Sequence, residues 1–212
     1  MYSLPHFKEQ DAQAIKQFMR DYPFAFLAGS NHEQQPVVTQ VPVFFDEKDG
    51  KLFLTGHVMR NTDHQKAFAY NPKVLVVFSG PNTYVSSSWY DKKEDKQQGS
   101  TWNYMSVHAK GQMRFLDEQA LINILKRTTN HFENDPHSEA NFENIPDEYI
   151  QRMIKAIVAF EIEVSEIEHV FKLSQNRDEK SYDNIIQQLK RKGAGAKEVA
   201  EIMEKRKGQV FK

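Results

Sequence analysis

Residues 84–90 read Tyr84-Val85-Ser86-Ser87-Ser88-Trp89-Tyr90, and after a charged stretch residues 101–111 read Thr101-Trp102-Asn103-Tyr104-Met105-Ser106-Val107-His108-Ala109-Lys110-Gly111. Both tryptophans of the chain lie in these two segments, with three tyrosines and a run of hydroxyls. Rings supply flat apolar faces and hydroxyls and amides supply directional hydrogen bonds, the combination a planar polar ligand needs. Alternation along 101–104 puts Trp102 and Tyr104 on one face and Thr101 and Asn103 on the other. Read alone, the cluster is either a packed core or interface patch or a ligand slot; its serines, Thr101 and Asn103 are polar for a dry core.

Working outward, the pattern predicts two aromatic strands at 84–90 and 101–111, joined by a long hairpin tip over 91–100 and entered through a turn at Gly80-Pro81-Asn82. Upstream, Asp11 caps a helix over 12–22, residues 24–30 form a buried strand, and 36–45 is β-rich but interrupted by Pro42, which implies an edge or a bulge. Asp49-Gly50 is a hairpin turn into a strand over 51–58, and 73–79 is a strand buried on both faces. Asn61 or Thr62 caps a short helix over 63–70. Downstream, helices over 118–132 and from Pro146 precede the clearest period-two run, 158–167. Lys172-Leu173-Ser174-Gln175-Asn176-Arg177 follows as a polar cluster, and helices over 182–192 and 196–207 close the chain. Hairpin-joined short strands predict an antiparallel sheet or small barrel, mainly β with peripheral helices and a C-terminal helical hairpin.

Composition narrows the function classes. A formal charge of −1 over 212 residues gives no global basic field, so nucleic acid would need a local patch. The helical hairpin invites a helix-turn-helix reading, but Glu198, Glu201 and Glu204 on its second helix oppose phosphates. The absence of cysteine excludes thiol catalysis, thiolate metal sites and disulfides and fits a cytoplasmic protein. No apolar run reaches membrane-spanning length, and the N-terminal residues do not form a signal peptide. No histidine pair has convincing metal spacing, and no catalytic residue can be assigned.

A second candidate region is Gly56-His57-Val58-Met59-Arg60-Asn61-Thr62-Asp63-His64, where a strand runs into a helix. Amides at a helix start attract anions, Arg60 can fork onto phosphate oxygens, and Asn61 and Thr62 add hydrogen bonds. The plain alternative is a capped surface helix with a solvated arginine. His57 and His108 sit in strands and could titrate near neutrality, or serve as structural histidines.

Taken in order, these motifs resemble the PaiB family, described as FMN-binding negative transcriptional regulators. The resemblance runs from Leu4-Pro5-His6-Phe7 and Pro23-Phe24, through Gly56-His57 with Arg60-Asn61, Gly80-Pro81, the two aromatic segments and Val107-His108-Ala109 with Gly111, to the cluster at 172–177. It implies a six-stranded antiparallel FMN-binding split barrel, similar to pyridoxamine-phosphate-oxidase-like proteins, over 1–177, with 178–212 as a helical tail. It also implies a homodimer with FMN at the subunit interface. Carried over by motif, Arg60, Asn61 and Thr62 hold the phosphate, with His57 beside them. Ser86, Ser88, Trp89, Thr101, Trp102, Asn103 and His108 line the site. The expected function is repression of genes for degradative enzymes (proteases) and sporulation, direct or indirect, with an FMN-dependent oxidoreductase and a flavin-free dimeric scaffold as alternatives. Two departures are visible: Thr62-Asp63-His64-Gln65 follows Asn61 where the family usually continues with proline, and Ser87 stands where it often has proline.

Overall fold

A computed structural model describes residues 4–91 and 99–211. Its elements are α1 (Ala12–Asp21), β1 (Phe24–Ser30), β2 (Pro36–Pro42), β3 (Phe44–Lys48), β4 (Lys51–Met59), α2 (Asp63–Tyr70), β5 (Lys73–Val85), β6 (Thr101–Phe115), α3 (Glu118–Glu133), α4 (Asp147–Ala156), β7 (Ile157–Lys172), α5 (Glu179–Lys190) and α6 (Ala194–Val210). The seven strands form one sheet in the order β2-β1-β5-β6-β7-β4-β3. The β1–β2, β1–β5, β3–β4 and β4–β7 pairs are antiparallel.

Seven strands stand where six were expected, because Pro42 ends β2 and β3 begins two residues later. Both pieces are edge strands, where the missing amide of a proline costs no ladder bond. The β3–β4 hairpin closes through Asp49 (φ 52°) and Gly50 (φ 75°), with Lys48 opposite Lys51, the left-handed pair that a two-residue turn of this twist requires. Two local expectations fail. The chain does not turn at 80–82: β5 continues through Gly80-Pro81-Asn82, since the fixed φ of proline is compatible with extended backbone. Nor is 84–90 one strand. After Val85 the chain enters a 3-10 turn, Ser87–Trp89, in which the Ser86 hydroxyl accepts from the Ser88 amide. The expected tip at 91–100 lies largely outside the described residues.

The chain packs as two compact units. The first unit comprises Met1–Phe18, Ser79–Val107 and Glu168–Lys212, and the second comprises Met19–Phe78 and His108–Ile167. In the second unit, Leu121, Ile124 and Leu125 of α3 and Ile150 and Ile154 of α4 bury against Ile157 and Ala159 of β7. Both helices place apolar residues three and four apart on that face. Asp117 caps α3 through the Ala120 amide at 2.8 Å. Strand contacts here leave no room for side chains at two glycines. A Cβ on Gly56 would lie 2.7 Å from the Phe160 ring, and one on Gly111 would lie 2.7 Å from Ile162 Cγ2 and against the Glu163 carbonyl. In the first unit, Tyr182, Ile185 and Leu189 of α5 and Val199 and Met203 of α6 are buried, and the Tyr182 hydroxyl donates to the Met203 carbonyl at 3.0 Å. Among the described residues no helix is long and apolar enough to cross a membrane.

Candidate functional site

In the second unit, β4 carries His57 and runs into the turn that precedes α2. Paired antiparallel residues share a sheet face, and His57 pairs with Ala159, which α3 and α4 cover. Burial there holds the His57 imidazole below its ordinary value of 6.5. The unfolded chain therefore takes up the proton first. The stability this neutral ring carries is complete above about pH 6.5 and is lost as pH falls through the depressed folded value. Urea stability is expected to be lower near pH 5 than near pH 7, and His57→Gln should flatten that fall; an unchanged pH slope in the variant would remove His57 as its source. His169 in the first unit shifts in the same direction, through burial and then the neighbouring Lys8, so it leaves a residual slope.

Arg60 and Asn61 are exposed at the turn, and Asn61 adopts a left-handed φ of 63°. The Arg60 amide donates to the Ala156 carbonyl at 2.8 Å, but among the described residues its guanidinium has no partner. Thr62 is the N-cap of α2: its hydroxyl donates to the Met59 carbonyl at 3.0 Å and accepts from the Gln65 amide at 3.3 Å. His108 sits half-buried on β6.

The remaining candidates belong to the first unit. Trp102 is 50% exposed and Tyr84 45% exposed; the rings meet edge to face at 6.1 Å, and the Trp102 indole donates to Asn82 Oδ1 at 3.0 Å. Trp89 is half-buried beneath the Lys192 ammonium, 4.6 Å from its ring centroid. Ser86 and Ser88 bond to each other at 2.8 Å, and the Ser87 amide donates to Ser100 Oγ at 3.0 Å. Asn103 is fully buried. Its amide donates to Met203 Sδ at 3.5 Å and its carbonyl oxygen accepts from the Ser174 hydroxyl at 3.0 Å.

Sequence reasoning did not single out Lys172, whose ammonium bonds Thr101 Oγ1 and, at 3.0 Å, the Trp102 carbonyl. Burial and then Arg177 lower its pKa. Its signal was present in the polar cluster at 172–177, but a pairing 70 residues distant is not a local property. Lys192 gave no signal. Among the described residues no group of three or more His, Asp or Glu could hold a metal ion.

Within the second unit, the Arg60 guanidinium and the Asn61 carboxamide are available and have the donor chemistry a phosphate needs. Within the first unit, the exposed rings of Tyr84 and Trp102 offer flat apolar faces. The Thr62 hydroxyl and the Asn103 carboxamide are already committed to protein partners.

A mainly β antiparallel sheet with peripheral helices in this strand order defines a split-barrel protein. The solved FAD and heme binding protein from Mycobacterium smegmatis shares the fold, at TM-score 0.53 and 14% identity over 77% of this chain and 72% of that one. So does the flavocytochrome Anf3 from Azotobacter vinelandii, at TM-score 0.52 and 15% identity over 86% of this chain and 78% of that one. The family model described as "Putative FMN-binding domain" matches residues 1–166. Protease synthase and sporulation protein PAI 2 of Bacillus subtilis (strain 168) is 32% identical over 205 residues, 96% of this chain and 97% of that protein. The chain belongs to the PaiB family of FMN-binding split barrels, and FMN is the cofactor that this membership assigns.

Proposed function

We propose that this protein is a cytoplasmic, homodimeric FMN-binding regulator that restrains protease synthesis and sporulation; the two processes are those named for its Bacillus subtilis relative, and the negative sign follows from the family resemblance. The observation that carries the FMN reading is the Arg60 guanidinium, exposed and unpartnered among the described residues, beside Asn61 at a strand-to-helix turn. In this reading Arg60 and Asn61 take the phosphate by charge-assisted hydrogen bonds. Trp89, Trp102, Ser86 and Ser88 are proposed ring contacts. When bound, FMN supplies one- and two-electron redox chemistry.

Regulation through a partner or a metabolite is favoured over direct DNA contact. Two cations of the C-terminal hairpin are paired with its own carboxylates, Lys190 with Glu204 at 2.7 Å and Lys207 with Asp183 at 2.8 Å and Glu179 at 3.0 Å, while Arg206 pairs with Glu9 and Lys180 with Asp91. The dimer reading rests on the second unit. Phe24, Phe26 and Val38 are 59%, 40% and 61% exposed, and the pairings Phe26–Val77, Ala28–Val38 and Ala28–Leu75 place them with more apolar residues on one sheet face.

A single chromatographic run with absorbance and light-scattering detection tests flavin and dimer together. The FMN-loaded protein is expected to elute with twice the chain mass of 24.7 kDa and with flavin absorbance. Saturation at a hundredfold excess over the Kd should stabilise the fold by about 2.7 kcal/mol. Arg60→Ala should weaken FMN roughly tenfold or more. A colourless protein that FMN does not stabilise would sink the reading.

A further inference from the structure

The turn that carries Arg60 closes on itself. Gln65 Oε1 accepts the Asn61 amide at 3.2 Å while the Gln65 amide bonds Thr62 Oγ1 at 3.3 Å. Asp63 Oδ1 accepts the His64 amide at 2.8 Å and lies 3.1 Å from His64 Nδ1, and His64 Nε2 lies 3.0 Å from Thr62 Oγ1. The amides of Asn61, His64 and Gln65 are thereby satisfied from within. In many helix starts such donors are left for an anion; here they are withdrawn. Asp63 adds an opposing charge. Its side chain is 85% exposed. The His64 backbone bond, the largest cause, lowers its pKa, so it is ionised at neutral pH.

We propose that Asp63 and Gln65 set the flavin specificity of this turn: Asp63 weakens the grip on the phosphate, and Gln65 holds the Asn61 amide until an anion displaces it. This rests on the assignment of the FMN phosphate to Arg60 and Asn61. A phosphate monoester carries between one and two negative charges at neutral pH. The carboxylate beside the turn therefore offsets part of the attraction of Arg60, while a flavin without phosphate is indifferent to it. Both groups are solvent-exposed, so the effect shrinks as salt rises. The turn discriminates FMN from riboflavin through Arg60, and Asp63 limits how well.

The test is flavin-fluorescence titration with FMN and with riboflavin at low and near-physiological salt. Asp63→Asn keeps an acceptor for the His64 amide, removes the charge and puts an NH2 donor where the second carboxylate oxygen stood; the salt dependence separates the loss of charge from the added donor. It should tighten FMN roughly fivefold at low salt and less at higher salt, with riboflavin unchanged. Gln65→Ala, which frees the Asn61 amide, should shift FMN in the same direction. Glu148→Gln, which removes a surface carboxylate elsewhere, should do neither. If Asp63→Asn leaves FMN unchanged, or tightens both flavins alike, while Arg60→Ala weakens FMN alone, the inference fails and the phosphate assignment stands. If Arg60→Ala also leaves FMN unchanged, the assignment falls and the inference with it.

Discussion

Replacing Gly111 with alanine should destabilise the protein by about 3 kcal/mol or more, read as a lower urea midpoint. Gly111 is buried on β6, and a Cβ there meets the Glu163 backbone carbonyl and, at 2.7 Å, Ile162 Cγ2. The carbonyl belongs to β7 and cannot swing aside as the end of a side chain can, so the strands themselves must part. Gly208 provides the control. It lies within α6 with nothing within 4 Å of an added Cβ, so alanine there should stabilise by up to about 1 kcal/mol through helix propensity. Equal effects at the two positions would refute the crowding argument.

Asn103→Ala should cost about 2–3 kcal/mol, lowering Tm by several degrees for a chain of this size. Truncation removes the acceptor of the Ser174 hydroxyl and the donor to Met203 Sδ, at a position with no solvent to replace them. Ser174 itself is 2% exposed and sits at a left-handed φ of 63°, so its hydroxyl has little freedom to find another partner. The loss should appear in stability, with FMN affinity of the folded variant preserved. A stable Asn103→Ala protein with weakened FMN binding would mean that the carboxamide serves the ligand and not the fold.

Lys172 illustrates why one part of the candidate site was legible and another was not. The aromatic and hydroxyl content of 84–90 and 101–111 marks both segments without any structure, because residue type alone fixes what a side chain can stack on or bond. Which hydroxyls and amides are free depends on partners far along the chain. Lys172 bonds Thr101, and Ser174 and Met203 take both ends of the Asn103 carboxamide. The same holds for His57. Its strand was evident from local pattern, but its depressed pKa follows from burial on the face it shares with Ala159, which α3 and α4 cover.

The fold divides along the same line. Sequence determined the elements whose signals are local: the Asp49-Gly50 hairpin, the Asp117 cap, a cap at Asn61 or Thr62 that the structure assigns to Thr62, and the alternation that made 158–167 a strand. Tertiary structure decided where local signals conflict or fall silent. It carried β5 through Gly80-Pro81-Asn82, because an extended proline is tolerated wherever neighbouring strands hold the chain straight. It buried Ile157, Val158, Ala159 and Phe160 in succession, because helices cover one face of β7 while the other faces the core, a fact that period-two alternation cannot encode. Local sequence sets which conformations are inexpensive; packing between residues a hundred positions apart sets which of them is adopted.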